Sequence, residues 1–197
     1  MKIQFANDTD LVPAVVQHAE TGAVLMVGYM NREALACTES TKRVTFFSRS
    51  KNRLWVKGET SGNFLDVVSL HSDCDEDALL IRALPQGPTC HTGSASCFGD
   101  VPPSSLGVLA ELERTIQGRK ALPVAGSYTS KLFEDGIKRI AQKVGEEGVE
   151  VALEGVTGGG DHLVGEAADL LYHLMVLLVA CDRSLGDVAE RCRLRMK

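Results

Sequence analysis

The sequence predicts two domains: an N-terminal α+β domain, mainly antiparallel strands with short helices, followed by an all-α domain. Three observations predict it. Before position 85 the apolar residues fall in short runs rich in Val and Phe, separated by turn-forming segments. After position 105 they fall at helical spacing instead. Between the two, residues 98–107 (F-G-D-V-P-P-S-S-L-G) carry two adjacent prolines, two glycines and two serines, so the boundary is placed there, giving domains 1–103 and 104–197.

With 197 residues, 44% of them hydrophobic, the chain can bury one large core or two small ones. The net charge of -5 is shared almost evenly between the halves, and no basic arm argues for nucleic acid. The first ten residues are mixed and polar, with neither a signal-peptide core nor an amphipathic transit pattern, so a cytoplasmic protein is expected. The longest apolar run, Leu170 to Ala180, falls short of the roughly 20 residues of a spanning helix and is interrupted by His173. It reads as a buried helix, and no membrane partner is expected. Six cysteines in a reducing compartment are expected as metal ligands or core residues rather than disulfides, and Cys181 and Cys192 have no companion ligands nearby.

In chain order, the runs Val24–Met30, Val44–Phe47, Leu54–Val56, Phe64–Leu70 and Ala78–Leu84 are the expected strands. Asn31 caps a helix expected over Arg32–Glu39. In the second half, Leu106–Gln117 and Ser127–Lys143 have helical spacing.

Cys74, Cys90 and Cys97 are separated by fifteen and then six residues, a spacing of no zinc finger. Three thiolates on zinc leave a position open, where a bound water loses its proton near neutral pH. The sequence equally allows three buried free thiols, or a closed site completed by Cys37, His71 or His91. Around Cys74, Asp73, Asp75 and Asp77 are hard oxygen ligands suited to magnesium, although a D-x-D-x-D run is also an ordinary solvated loop. Between two strands, residues 48–63 combine Arg49, Lys57, Glu59, Thr60 and Ser61 with the only tryptophan, Trp55. That set suits a phosphorylated ligand with a ring to stack, and equally a solvated hairpin with Trp55 in the core.

The helical half holds K-V-G-E-E-G-V-E (143–150) and, after Gly158–Gly160, E-A-A-D (166–169). Helical spacing puts Glu146, Glu147 and Glu150 on one side of one helix, and Glu166 with Asp169 on one side of the next. Facing carboxylates repel unless a hard cation such as magnesium neutralises them; the alternative is a solvated amphipathic face. His173 reads as an outer group of that site or a satisfied core histidine.

These stretches resemble known families. V-L-M-V-G-Y-M-N-R-E-A-L (24–35), F-F-S-R-S-K-N-R-L-W-V-K-G-E-T-S-G-N (46–63), D-C-D-E-D-A-L-L (73–80) and G-P-T-C-H-T-G-S-A-S-C-F (87–98) closely resemble phosphoribosyl-AMP cyclohydrolase. S-Y-T-S-K-L-F-E-D-G-I-K-R-I-A-Q-K-V-G-E-E-G-V-E (127–150) and E-A-A-D-L-L-Y-H-L (166–174) resemble phosphoribosyl-ATP pyrophosphohydrolase, an all-α, MazG-like hydrolase. Together they are similar to bifunctional enzymes of histidine biosynthesis. The resemblance implies zinc on Cys74, Cys90 and Cys97 shared across a homodimer interface, and magnesium on Asp73, Asp75 and Asp77. It implies a second magnesium site on Glu147, Glu150, Glu166 and Asp169, with Glu146 adjacent. Nucleotide substrates follow, with Lys131, Arg139 and Lys143 as phosphate contacts and His91 as a general base or an orienting neighbour of a ligand.

Two further readings compete. A zinc-dependent binding module joined to a helical dimerisation domain would show a closed four-ligand site and ordinary surface carboxylates. A zinc nucleoside deaminase would need H-x-E and P-C-x-x-C, which the sequence does not contain.

Overall fold

The computed structural model describes residues 3–7, 10–99 and 106–196. It divides into two compact units, Met1–Val108 and Leu109–Lys197. The boundary expected between Pro103 and Ser104 lies outside the described residues.

Among the described residues the first unit contains six strands: β1 (Val12–His18), β2 (Val24–Met30), β3 (Thr45–Ser48), β4 (Arg53–Val56), β5 (Leu65–Ser72) and β6 (Leu79–Pro85). They form a four-stranded sheet in the order β2-β1-β6-β5 and a separate hairpin, β3-β4. Three pairings are antiparallel as expected, whereas β1 and β6 run parallel. Strand β1 was not among the expected strands, and its Pro13 is unusual in a central position. It is tolerated because the ladder with β6 starts only at Ala14, paired with Leu79, so that side needs no N–H from Pro13.

Helix α1 (Arg32–Thr41) starts as its sequence dictates, the Asn31 side chain accepting a hydrogen bond from the Ala34 N–H. The alternate residues Val12, Ala14 and Val16 of β1 are buried with Phe46, Leu65 and Ile81 in one core. Gly28 in β2 is required by that packing, since a Cβ there would collide with the Phe46 ring.

The second unit is helical: α2 (Gly107–Ala121), α3 (Tyr128–Asp135), α4 (Ile137–Thr157), α5 (Gly160–Ala180) and α6 (Leu185–Leu194). The helix expected over Ser127–Lys143 is broken in two at Gly136, whose φ of 86° lies outside what an L side chain adopts readily. Helix α6 was also not anticipated; a capping box between Ser184 and Asp187 starts it. Gly158, Gly159 and Gly160 all have positive φ, which lets α5 fold back on α4.

Ile116, Leu132, Ile140, Met175, Val176 and Val179 form the second core. Helix α5 is apolar enough by length and composition to cross a membrane, yet its C-terminal half supplies three residues of this core. Val149, Leu153 and Val156 on α4, and Val164 and Leu171 on α5, stay exposed.

Candidate active sites

In the first unit a cleft of about 450 Å³ opens between the end of β4, the turn after it and the loop after β6. Trp55, Lys57, Thr60, Ser61, Thr89, Cys90, His91 and Cys97 line it. The Cys90 N–H donates to the Ser94 carbonyl at 3.0 Å, closing a turn that carries Cys90 to the cleft. Cys97 is tied to β2 by its N–H, which donates to the Leu25 carbonyl at 2.8 Å, and the adjacent Ser96 hydroxyl donates to Val24 at 2.8 Å.

The two thiols differ. The Thr92 hydroxyl donates to Cys90 Sγ at 3.1 Å and holds that thiol below its ordinary pKa, so Cys90 is the easier thiolate. Burial pushes the Cys97 thiol up. His91 Nδ1 lies 3.8 Å from Cys90 Sγ. Lys57 is only 7% exposed and lines the cleft, with no ion pair to it among the described residues, so its ammonium is placed to meet an anionic ligand there. Trp55 serves both readings of its hairpin: its ring centroid is 5.7 Å from that of Phe46, and it also lines the cleft.

Cys74 is elsewhere. It is exposed, on the loop joining β5 and β6, with Sγ 3.9 Å from an Asp75 oxygen. Among the described residues the three cysteines form no common cluster within one chain. Asp73, Asp75 and Asp77 do gather, each offering an oxygen within 4.8 Å of the others. Backbone N–H groups of Ala78 and Asp77 donate to Asp73 and keep its carboxyl below the usual range, while the Asp75 charge raises that of Asp77. Arg49 lies over the Tyr29 ring at 4.2 Å. Glu59 is held by Arg53, with Nη2 to Oε1 at 2.6 Å, and that pairing braces the turn.

In the second unit, carboxylate oxygens of Glu147, Glu150 and Glu166 lie within 4.8 Å of one another. Asp169 is not in this group, and Glu146 turns to its own helix, accepting from Gln142 at 2.7 Å and pairing with Lys143 at 3.1 Å and Arg139 at 3.6 Å. Lys143 also reaches Glu147 at 2.6 Å. Arg139 and Lys143 therefore spend their charge on carboxylates of α4. Hydrogen bonding from Lys143 keeps buried Glu147 below the usual carboxylate range, whereas its neighbour Glu147 pushes Glu150 up. Lys131 lines a separate cleft of about 900 Å³ with Ser127, Tyr128 and Ser130.

Comparison with known proteins identifies the family of each half. Residues 26–99 match the family model of phosphoribosyl-AMP cyclohydrolase, and residues 109–194 that of phosphoribosyl-ATP pyrophosphohydrolase. A histidine biosynthesis bifunctional protein HisIE of Yersinia pestis is 55% identical over 185 residues, 94% of this chain and 90% of that protein. Its counterpart in Xanthomonas axonopodis pv. citri (strain 306) is 58% identical over 179 residues, covering 91% and 85%. That of Escherichia coli (strain K12) is 55% identical over 194 residues, covering 98% and 95%.

The chain belongs to this family of bifunctional histidine-biosynthesis enzymes. The thiol cleft lies in its cyclohydrolase domain and the three-glutamate cluster in its pyrophosphohydrolase domain. Thr92, which acts on the Cys90 thiol, and Tyr128, which touches His173, were not singled out from sequence. Thr92 lies two residues from a cysteine, a spacing that signals nothing by itself.

Proposed function

We propose that the two sites act in succession, the helical domain releasing pyrophosphate from phosphoribosyl-ATP and the cleft of the first domain opening the adenine ring of phosphoribosyl-AMP. The observation that supports this most is the donor chemistry. Soft thiols gather in the cyclohydrolase domain and hard carboxylates in the pyrophosphohydrolase domain.

In the cyclohydrolase domain, Cys90 and Cys97 suit zinc, because both thiols line one cleft and a hydroxyl already favours the thiolate of Cys90. A third ligand, Cys74, would come from the partner subunit, since it stands away from the cleft of its own chain. Zinc with an open position supplies a water acidic enough to deprotonate near neutral pH. Water adds at C6 and the N1–C6 bond breaks. Lys57, Thr60 and Ser61 hold the phosphorylated ligand, Trp55 offers a ring to stack, and His91 is placed to move a proton. Asp73, Asp75 and Asp77 suit magnesium, with Asp73 kept ionised by two backbone donors.

In the pyrophosphohydrolase domain, Glu147, Glu150 and Glu166 suit magnesium: a hydrogen bond with Glu147, with burial and the Glu147 and Glu166 charges behind it, already favours a proton on Glu150, and a divalent cation can take that proton's place. Bound there, magnesium supplies positive charge against the phosphates. Water attacks the α-phosphorus and pyrophosphate leaves. Lys143 keeps Glu147 ionised and aimed, and Lys131, which makes no ion pair among the described residues, is placed to meet phosphate at its cleft. The exposed apolar residues of α4 and α5, together with the displaced Cys74, support a homodimer. Six free cysteines favour the reducing cytoplasm.

Incubation of the purified protein with phosphoribosyl-ATP and magnesium tests the whole reading. Pyrophosphate appears first and the ring-opened product second. Release of neither, or zinc held by four ligands of one chain, returns the binding-module reading.

A further inference from the structure

His173 is a buried titratable group that the steps above leave unused; it is 4% exposed on α5. Its Nδ1 lies 2.9 Å from the Asp169 carbonyl oxygen, which can only accept, so the proton of the neutral ring sits on Nδ1. Nε2 then accepts from the Tyr128 hydroxyl at 3.1 Å. The Tyr172 ring stands edge-on to the imidazole at 5.0 Å, and its hydroxyl is bonded to Thr129 at 2.7 Å. Asp169 of α5 thus sets the tautomer, and Tyr128 of α3, with Tyr172 of α5 held by Thr129 of α3, sets the tilt of the ring. The same Nδ1 is 3.6 Å from Glu147 Oε1, the oxygen that Lys143 holds at 2.6 Å.

We infer that Tyr128 and His173 are positioning residues for the pyrophosphohydrolase site: Tyr128 and the Asp169 carbonyl fix the imidazole so that its polar Nδ1 edge stands beside the Glu147 oxygen that Lys143 holds by a hydrogen bond. A satisfied core histidine needs the bonds to Asp169 and Tyr128 but has no use for an approach to a buried carboxylate of the cluster. Lys143 binds this oxygen of Glu147 and the fixed edge of the imidazole backs it, in a carboxylate that offers an oxygen within 4.8 Å of those of Glu150 and Glu166. Nearest neighbours that orient metal ligands in this way are worth about 10- to 100-fold in affinity or activity. The inference rests on the reading that this cluster holds magnesium.

The test uses the full chain stripped of metal. Magnesium alone is titrated by calorimetry, thermal unfolding is recorded, and ring opening serves as an internal control of folding. His173→Leu removes both ring nitrogens and weakens magnesium binding by about ten-fold. His173→Asn keeps an N–H near the Nδ1 position and stays within about three-fold of the parent. Tyr128→Phe removes one hydroxyl from a half-exposed side chain and weakens binding by about three-fold, with ring opening unchanged. A folded His173→Leu protein with the parent's magnesium affinity overturns the inference, as does equal weakening in the Leu and Asn variants. Should His173→Leu not fold, parental affinity in Tyr128→Phe overturns it. A parent that binds no magnesium sinks the reading of the cluster itself, and this inference with it.

Discussion

The helical unit brings three carboxylates of its candidate site together inside one chain, whereas the sheet unit brings together only two of its three candidate thiols. Glu147 and Glu150 lie three residues apart on α4, and the glycine turn delivers Glu166 on α5 opposite them. Helical periodicity and one short connection suffice. Cys90 and Cys97 depend instead on a loop pinned to β2, and Cys74 sits on the β5–β6 loop, away from that cleft. A site carried by adjacent helices is closed by local geometry, whereas among the described residues the loops of the sheet unit leave Cys74 apart from Cys90 and Cys97.

The comparison breaks most visibly at Cys90. Cys90→Ser removes a thiolate and lowers ring opening by more than the roughly 100-fold that an outer group costs, with pyrophosphate release intact. Parallel assays of both reactions check it, and equal loss of both would point to collapse of the whole fold. Mixing sharpens the point: Cys74→Ser and Cys90→Ser chains, each inactive in ring opening, regain about a quarter of the parent's rate when mixed as two-fold dimers, because half the dimers hold one intact site. No recovery after verified subunit exchange means the site does not span two chains.

A smaller effect is expected at Glu150. Glu150→Gln keeps the shape of the side chain and removes one charge from the cluster, so magnesium affinity and pyrophosphate release fall by about ten-fold. The metal-free protein gains a few tenths of a kcal/mol at most, since like charges at helical spacing cost about that much. Full activity with an unchanged magnesium requirement would make the cluster a solvated face.

Glycines extend the comparison to packing. Gly28→Ala drives a methyl into the Phe46 ring and costs about 1–3 kcal/mol, read by denaturant unfolding. Gly148→Ala on α4 meets only Leu170 Cδ1 at 4.0 Å and stabilises by about 0.5–1 kcal/mol through better helix propensity. The opposite order of effects would mean that the sheet core, not the helix pair, is the adaptable region.

Sequence by itself determined the features whose cause is local. Asn31 caps α1 because its side chain reaches the Ala34 N–H three residues on. The change from short apolar runs to helical spacing identified the fold class of each half. Family-length motifs identified the two activities. The shared face of Glu147 and Glu150 followed from 3.6 residues per turn.

Only the tertiary structure decided the rest, where partners distant in sequence compete for the same group. Strand β1 lies centrally despite Pro13, because the parallel ladder with β6 begins one residue later. Glu146 shares the helix face of Glu150 in the sequence pattern, yet Arg139, Gln142 and Lys143 take it away from the cluster. His173, which the pattern left between core residue and outer group, acquires Tyr128 from α3 and Glu147 from α4 at once. Periodicity sets which way a side chain leaves its own element; which neighbour satisfies it depends on long-range packing that no local spacing encodes.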